Sequence, residues 1–92
     1  MFDIYCMQMG GNNELPAHTK YTRYNNTHLA TIKRIVERAC TEYVWIVSDL
    51  CDYTDFDFAW QPVPWEATQI HCWASGNQQS GDTFLVPVDA FK

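Results

Sequence analysis

The sequence predicts one small α/β domain, a mixed β-sheet with a single main amphipathic helix. Three observations carry that expectation. Tyr43-Val-Trp-Ile-Val-Ser48 is an unbroken apolar, β-branched and aromatic run, the pattern of a strand covered on both faces. Residues 27–40 place Leu29, Ile32, Ile35, Val36, Ala39 and Cys40 at a helical period, with Lys33, Arg34, Glu37 and Arg38 on the other side. Short strand-like runs punctuated by Gly, Asn and Pro surround both. A chain of 92 residues makes one domain, 1–92. At this size roughly 60–65% of the unfolded surface is hidden on folding. With four Trp and 15% aromatic residues, large rings are expected to supply much of that burial.

Residues 2–9 read as a first strand, which Gly10-Gly-Asn-Asn13 breaks, since Gly and Asn tolerate the positive φ of tight turns. A polar loop with Pro16 leads to a short second strand, Lys20-Tyr-Thr-Arg-Tyr24. Asn25-Asn-Thr-His28 is a helix start, its side-chain oxygens suited to the unpaired N–H groups of a first turn. Arg38 suits the last turn. After the central strand at 43–48, the alternation in Phe56-Asp-Phe-Ala-Trp60 predicts a half-buried strand. Gln61-Pro-Val-Pro-Trp65 is excluded from a sheet interior, because proline has no N–H for the ladder. Strands at 69–73 and 83–87 flank a loop at 75–81. The order β-β-α-β-β-β-β implies a right-handed parallel crossover through the helix, followed by an antiparallel extension.

Composition excludes several classes. A net charge of −5 argues against an extended nucleic-acid surface, although five of the six basic residues cluster between Lys20 and Arg38. No stretch approaches the ~18 apolar residues of a membrane span. The opening residues lack a basic leader, so a soluble, intracellular protein is expected. Cys6, Cys40, Cys51 and Cys72 show no CxxC spacing and sit in apolar contexts, which predicts reduced, partly buried thiols. There is no Gly-rich phosphate loop, HExxH, nucleophile elbow or EF-hand pattern.

Four of the eleven acids fall between Asp49 and Asp57, directly after the central strand. A buried strand that delivers carboxylates at its end presents a metal or ligand site in many open α/β sheets. Asp49 and Asp52 are therefore the candidate metal ligands, with Asp55 or Asp57 assisting. The competing reading is a solvated turn whose acids cap local backbone. His71 shares a strand face with Trp73, and either contacts a ligand or hydrogen-bonds at the sheet edge. His28 stands at the helix start, where backbone N–H groups either hold a phosphate or leave a neutral His packed beside the cap. Arg23 precedes that helix, whereas Lys33, Arg34 and Arg38 read as a solvated face. Trp45 is core. Trp60, Trp65 and Trp73 form either a stacking platform or a small core that pins the proline segment.

The opening Phe2-Asp-Ile strand, the helix after Asn26-Thr-His28, Tyr43-Val-Trp-Ile-Val-Ser-Asp49, Asp55-Phe-Asp-Phe-Ala-Trp-Gln-Pro-Val-Pro-Trp-Glu66, Gln69-Ile-His-Cys-Trp-Ala-Ser75 and Gly81-Asp-Thr-Phe-Leu-Val86 together resemble small phage- and virus-encoded relatives of the GT-A glycosyltransferases. The resemblance implies a truncated nucleotide-diphospho-sugar transferase fold that binds a nucleotide sugar with Mn²⁺ or Mg²⁺ at Asp49 and Asp52. Arg23, His28, His71 and Trp73 would contact the substrate. It also implies a location in the host cytoplasm or the virion. GT-A enzymes carry Asp-x-Asp where this chain has Asp49-Leu-Cys-Asp52, and no catalytic base is evident. The expectation is thus a reduced domain, lacking full transferase activity, that takes an acceptor site from an oligomer mate or another protein. The alternative is a non-catalytic viral interaction or structural module that binds a protein partner, or a second copy, through its Trp- and Pro-rich surface.

Overall fold

The structure is a computed structural model that describes residues 2–24, 27–51, 53, 56–73 and 83–91. In chain order its elements are β1 (Asp3–Gln8), β2 (Lys20–Arg23), α1 (His28–Arg38), β3 (Tyr43–Ser48), a 3₁₀ turn (Pro64–Glu66), β4 (His71–Trp73), β5 (Thr83–Pro87) and the short α2 (Val88–Phe91). The strands form one mixed sheet in the order β2-β1-β3-β5-β4. β1 is parallel to both its neighbours, and β5 is antiparallel to both of its own. The expected antiparallel extension follows from this order, and α1 joins the parallel strands β2 and β3 that flank β1.

Every residue of β3 is buried because its two faces enter two cores. Val44 and Ile46 join Tyr5, Met7 and Val86 beneath Ile32, Ile35, Val36 and Ala39 of α1. Tyr43, Trp45 and Val47 join Ile4, Cys6 and Leu85 on the other face. Period-two alternation on the strands thus meets period-3.6 spacing on the helix on one side only.

α1 begins where Thr27 turns extended and its Oγ1 accepts from the Ala30 N–H at 3.1 Å. It ends at an extended Ala39, whose N–H still donates to the Ile35 and Val36 carbonyls. The next amide, Cys40 N, donates to Asp3 Oδ2 at 2.8 Å, and Asp3 N donates to Thr41 Oγ1 at 2.9 Å. The helix end is thereby locked to the start of β1, which is why the helix stops short of residue 40. Leu29 keeps the helical period but is 56% exposed in the first turn, beyond the stripe that meets the sheet.

Among the described residues no α-helix covers the second face. Tyr53 and residues 56–67 cover it, as coil and one 3₁₀ turn, with rings turned inward. Trp45 lies at the centre, fully buried, with Phe56 and Phe58 edge-on at 5.3 and 5.6 Å and Trp73 tilted at 5.2 Å. Three polar pins hold the coil down. Trp45 Nε1 donates to the Phe58 carbonyl at 3.0 Å, Tyr43 Oη donates to the Ala67 carbonyl at 2.7 Å, and Tyr53 Oη accepts from the Ser48 N–H at 3.1 Å.

The strand expected at 56–60 is therefore corrected. Its alternation comes from successive turns: Phe56 N donates to the Tyr53 carbonyl, Trp60 N to the Asp57 carbonyl, and Asp57 Oδ1 accepts from Ala59 N. Alternating rings bury equally well from such a coil, which lies over the face of the sheet and pairs with neither edge strand, β2 or β4. The last strand but one is shorter than expected, starting at His71. Cys6 and Cys51 are buried as predicted, but Cys40 and Cys72 are exposed, one just past the helix end and one on the outer face of an edge strand. The loop at 75–81 lies outside the described residues.

Trp45→Phe keeps a ring but removes the donor to the Phe58 carbonyl. We expect a loss of about 1–3 kcal/mol in unfolding free energy, read as a lower urea midpoint, and faster hydrogen exchange in residues 56–60 than in α1.

Candidate functional site

β1 and β3 are neighbouring parallel strands whose chains leave in opposite directions. After Gln8 the chain runs toward β2, and after Ser48 it runs toward the aromatic layer and β4. Such a divergence at carboxyl ends is where open α/β sheets leave a crevice. Asp49 occupies that point and is half-buried.

Asp49 is fastened by the loop that leaves β1. Its Oδ1 accepts from Met9 N at 3.0 Å. Its carbonyl accepts from Asn13 Nδ2 at 3.1 Å and Asn13 N at 3.4 Å. Gly11 lies so close to that carbonyl that a Cβ would overlap it, and Gly10 takes φ +91°, so both glycines are needed here. Beyond Asp49 the chain turns sharply, with Leu50 N donating to Ser48 Oγ and Cys51 N to the Ser48 carbonyl. No described residue donates to the second carboxylate oxygen, Oδ2.

Beneath this end lie neutral groups. Burial, and then the Asp49 charge, push the Cys6 thiol up from 9.0 to about 12. Burial likewise pushes the Tyr53 phenol above its ordinary value; its oxygen also shares a hydrogen bond with Thr83 Oγ1.

The other predicted residues divide into two sets. Arg23 ends β2, exposed, paired in register with Gln8, at the same end of the sheet as Ser48 and Asp49. His28 opens α1 at that end too, although its side chain is outside the description. Asp52 and Asp55 lie outside the described residues. His71 and Trp73 do not join Asp49. They sit on β4, two strands from β3, where His71 pairs with Leu85, level with Trp45. The His71 ring rests 5.2 Å from Trp60, with Nε2 3.2 Å from the Glu66 carbonyl oxygen and Nδ1 4.0 Å from Glu66 Oε2. Trp73 packs on Trp45 and on Trp60 at 5.1 Å. Both side chains pack into the aromatic layer. Trp60 and Trp73 form the expected small core, whereas Trp65 stands 79% exposed. Asp57 caps its own turn.

Among the described residues no group of three or more His, Cys, Asp or Glu could hold a metal ion. Nor, among them, is any helix long and apolar enough to cross a membrane. Met9, Gly11 and Asn13 complete this corner and were legible in sequence only as a turn. The adjacent Gly10-Gly11 pair was the sole hint of close backbone approach. No family model, curated protein or solved structure matches the chain.

Asp49→Ala leaves the Met9 N–H without its partner and is expected to cost about 1–3 kcal/mol. Asp49→Asn retains an Oδ1 acceptor and should melt within a few degrees of the parent by calorimetry. Stability is also expected to fall on alkaline titration. The raised thiol keeps its proton in the folded state while the unfolded Cys releases it, so stability is complete below pH 9.0 and is lost as pH rises toward about 12. Chemical denaturation across that window should show a shallower decline in Cys6→Ala, with the remaining slope from the Tyr53 and Tyr43 phenols, both pushed up by burial.

Proposed function

We propose that this domain is a minimal GT-A-like module that binds a nucleotide sugar with Mn²⁺ or Mg²⁺ at the carboxyl ends of β1 and β3, without a complete transferase centre. The observation that carries the reading is a half-buried carboxylate at the divergence of two parallel strands, anchored through Oδ1 and with no described donor on Oδ2. A hard divalent cation needs only one or two protein carboxylates when phosphate oxygens complete its shell. Asp49 fits that demand, and Asp52, three residues on, is the second carboxylate in sequence. Bound there, the cation would neutralise diphosphate charge. Arg23 and the first turn of α1 lie at the same end of the sheet, suited to phosphate oxygens by charge and by the positive end of the helix dipole. His71 and Trp73 are not part of this site. No base is assigned, so transfer would require an acceptor site supplied by a partner or a second copy.

A second reading, a non-catalytic interaction module, rests on a separate observation. Trp65 is 79% exposed between Pro64 and Glu66, with Val63 and Ile70 each 39% exposed nearby in the chain. Exposed Trp is enriched where proteins meet.

Isothermal titration of Mn²⁺ plus a panel of UDP- and GDP-sugars tests the first reading. Metal-dependent binding weakened at least about tenfold in Asp49→Asn, equal to about 1.4 kcal/mol, is the expected result. Silence with every nucleotide sugar, from a protein whose fold is verified by circular dichroism, overturns it.

A further inference from the structure

The end of the sheet opposite Asp49 carries a groove that the nucleotide-sugar reading leaves unused. Three hollows of about 200, 430 and 290 Å³ run together there. The first and second share Glu42, Tyr43 and Ala67, and the second and third share Phe2 and Gln61. The linked hollows make a trough between the start of β3 and the Pro62–Pro64 segment.

Its floor is rigid. Tyr43 is 5% exposed, tied through Oη to the Ala67 carbonyl and packed at 5.1 Å against Phe2. Its wall contains two prolines with fixed φ. A preformed wall of this kind loses little conformational entropy when something docks. The trough is also acidic at one end. Glu42 and Asp89 are both exposed beside the smallest hollow, and no described residue pairs with either carboxylate. No described Lys or Arg lines any of the three hollows. Glu42 is close enough to Tyr43 for its charge to act on the phenol.

An elongated trough lined by aromatic and proline side chains suits an extended chain more than a compact ligand, and proline-rich segments dock in grooves of this make-up. The two exposed carboxylates, Glu42 and Asp89, favour positive charge at one end. We propose that this trough binds an extended, proline-containing basic peptide segment of a partner protein. The proposal supplies a partner class for the interaction reading and rests on that reading alone. Asp49 plays no part in it.

Fluorescence anisotropy of a fluorescein-labelled Ala-Pro-Arg repeat peptide, against its Ala-Pro-Glu counterpart, tests the assignment. The basic peptide should bind and the acidic one should not. Glu42→Gln with Asp89→Asn should weaken binding about five- to tenfold, the sum of two exposed charge pairs, and raised salt should do likewise. Gln61 is exposed where the two larger hollows meet, so Gln61→Lys should abolish binding without unfolding the domain. Asp49→Asn must leave peptide binding unchanged, which separates failure here from failure of the nucleotide-sugar site. Equal binding of both peptides, or no binding to a folded protein, overturns the proposal. So does a dimer in light scattering that Gln61→Lys converts to monomer, since a second copy would then be the occupant.

Discussion

A five-stranded sheet with one substantial helix has one face too many, and the rest of this structure follows from how the second face is covered. Trp45 is the answer in a single residue. It sits at the middle of the central strand, surrounded by Phe56, Phe58 and Trp73, and it turns its only polar atom to the backbone of the coil above. Coil over a sheet is costly because its amides and carbonyls must find partners away from water. Here two side chains from the sheet, Trp45 and Tyr43, donate to carbonyls of the coil, and Tyr53 of the covering layer accepts the Ser48 amide of the sheet in return. Each is a large ring with one polar tip, able to fill volume and satisfy backbone at once. The aromatic richness of this short chain is thus the counterpart of its missing helix.

The same constraint explains which expectations the residues made legible. β3 was readable because burial on both faces leaves no polar position from Tyr43 to Val47. α1 was readable because its apolar stripe meets one core. The parallel pairing and the antiparallel extension were readable because one helix falls between the second strand and the central one, whereas the strand order was not. Residues 56–60 misread as a strand because alternation records which side chains point inward, not whether the backbone has a neighbour to pair with. The helix end was misjudged at Ala39 and Cys40 because its stop signal is tertiary: Asp3, 37 residues away, takes the Cys40 amide. Cys72 looked apolar in context, yet the inward face of β4 belongs to His71 and Trp73.

The candidate site was partly legible for a related reason. Acids after a buried strand point to its carboxyl end, and Asp49 is there. What the sequence could not display is that Asp49 already has structural work, receiving Met9 N and closing the Gly10–Asn13 loop against β3. One carboxylate oxygen anchors the corner, which leaves the other as the chemically interesting atom. His71 was separated from it by strand order, a property set by pairings among β3, β5 and β4 that span distant parts of the chain.

That strand order carries a consequence for how the chain must assemble. The central strand β3 takes one neighbour from residues 3–8 and the other from residues 83–87. Both pairings close long loops, so they form slowly compared with α1. During synthesis, β1 and β3 emerge well before β5 exists. Until residue 87 has left the ribosome, one edge of a strand composed of Tyr, Val, Trp and Ile stands without its partner, a template for unwanted strand addition. The acidic run that begins at Asp49 immediately follows this strand in sequence, so copies of the chain carry like charges next to their open strands throughout that interval.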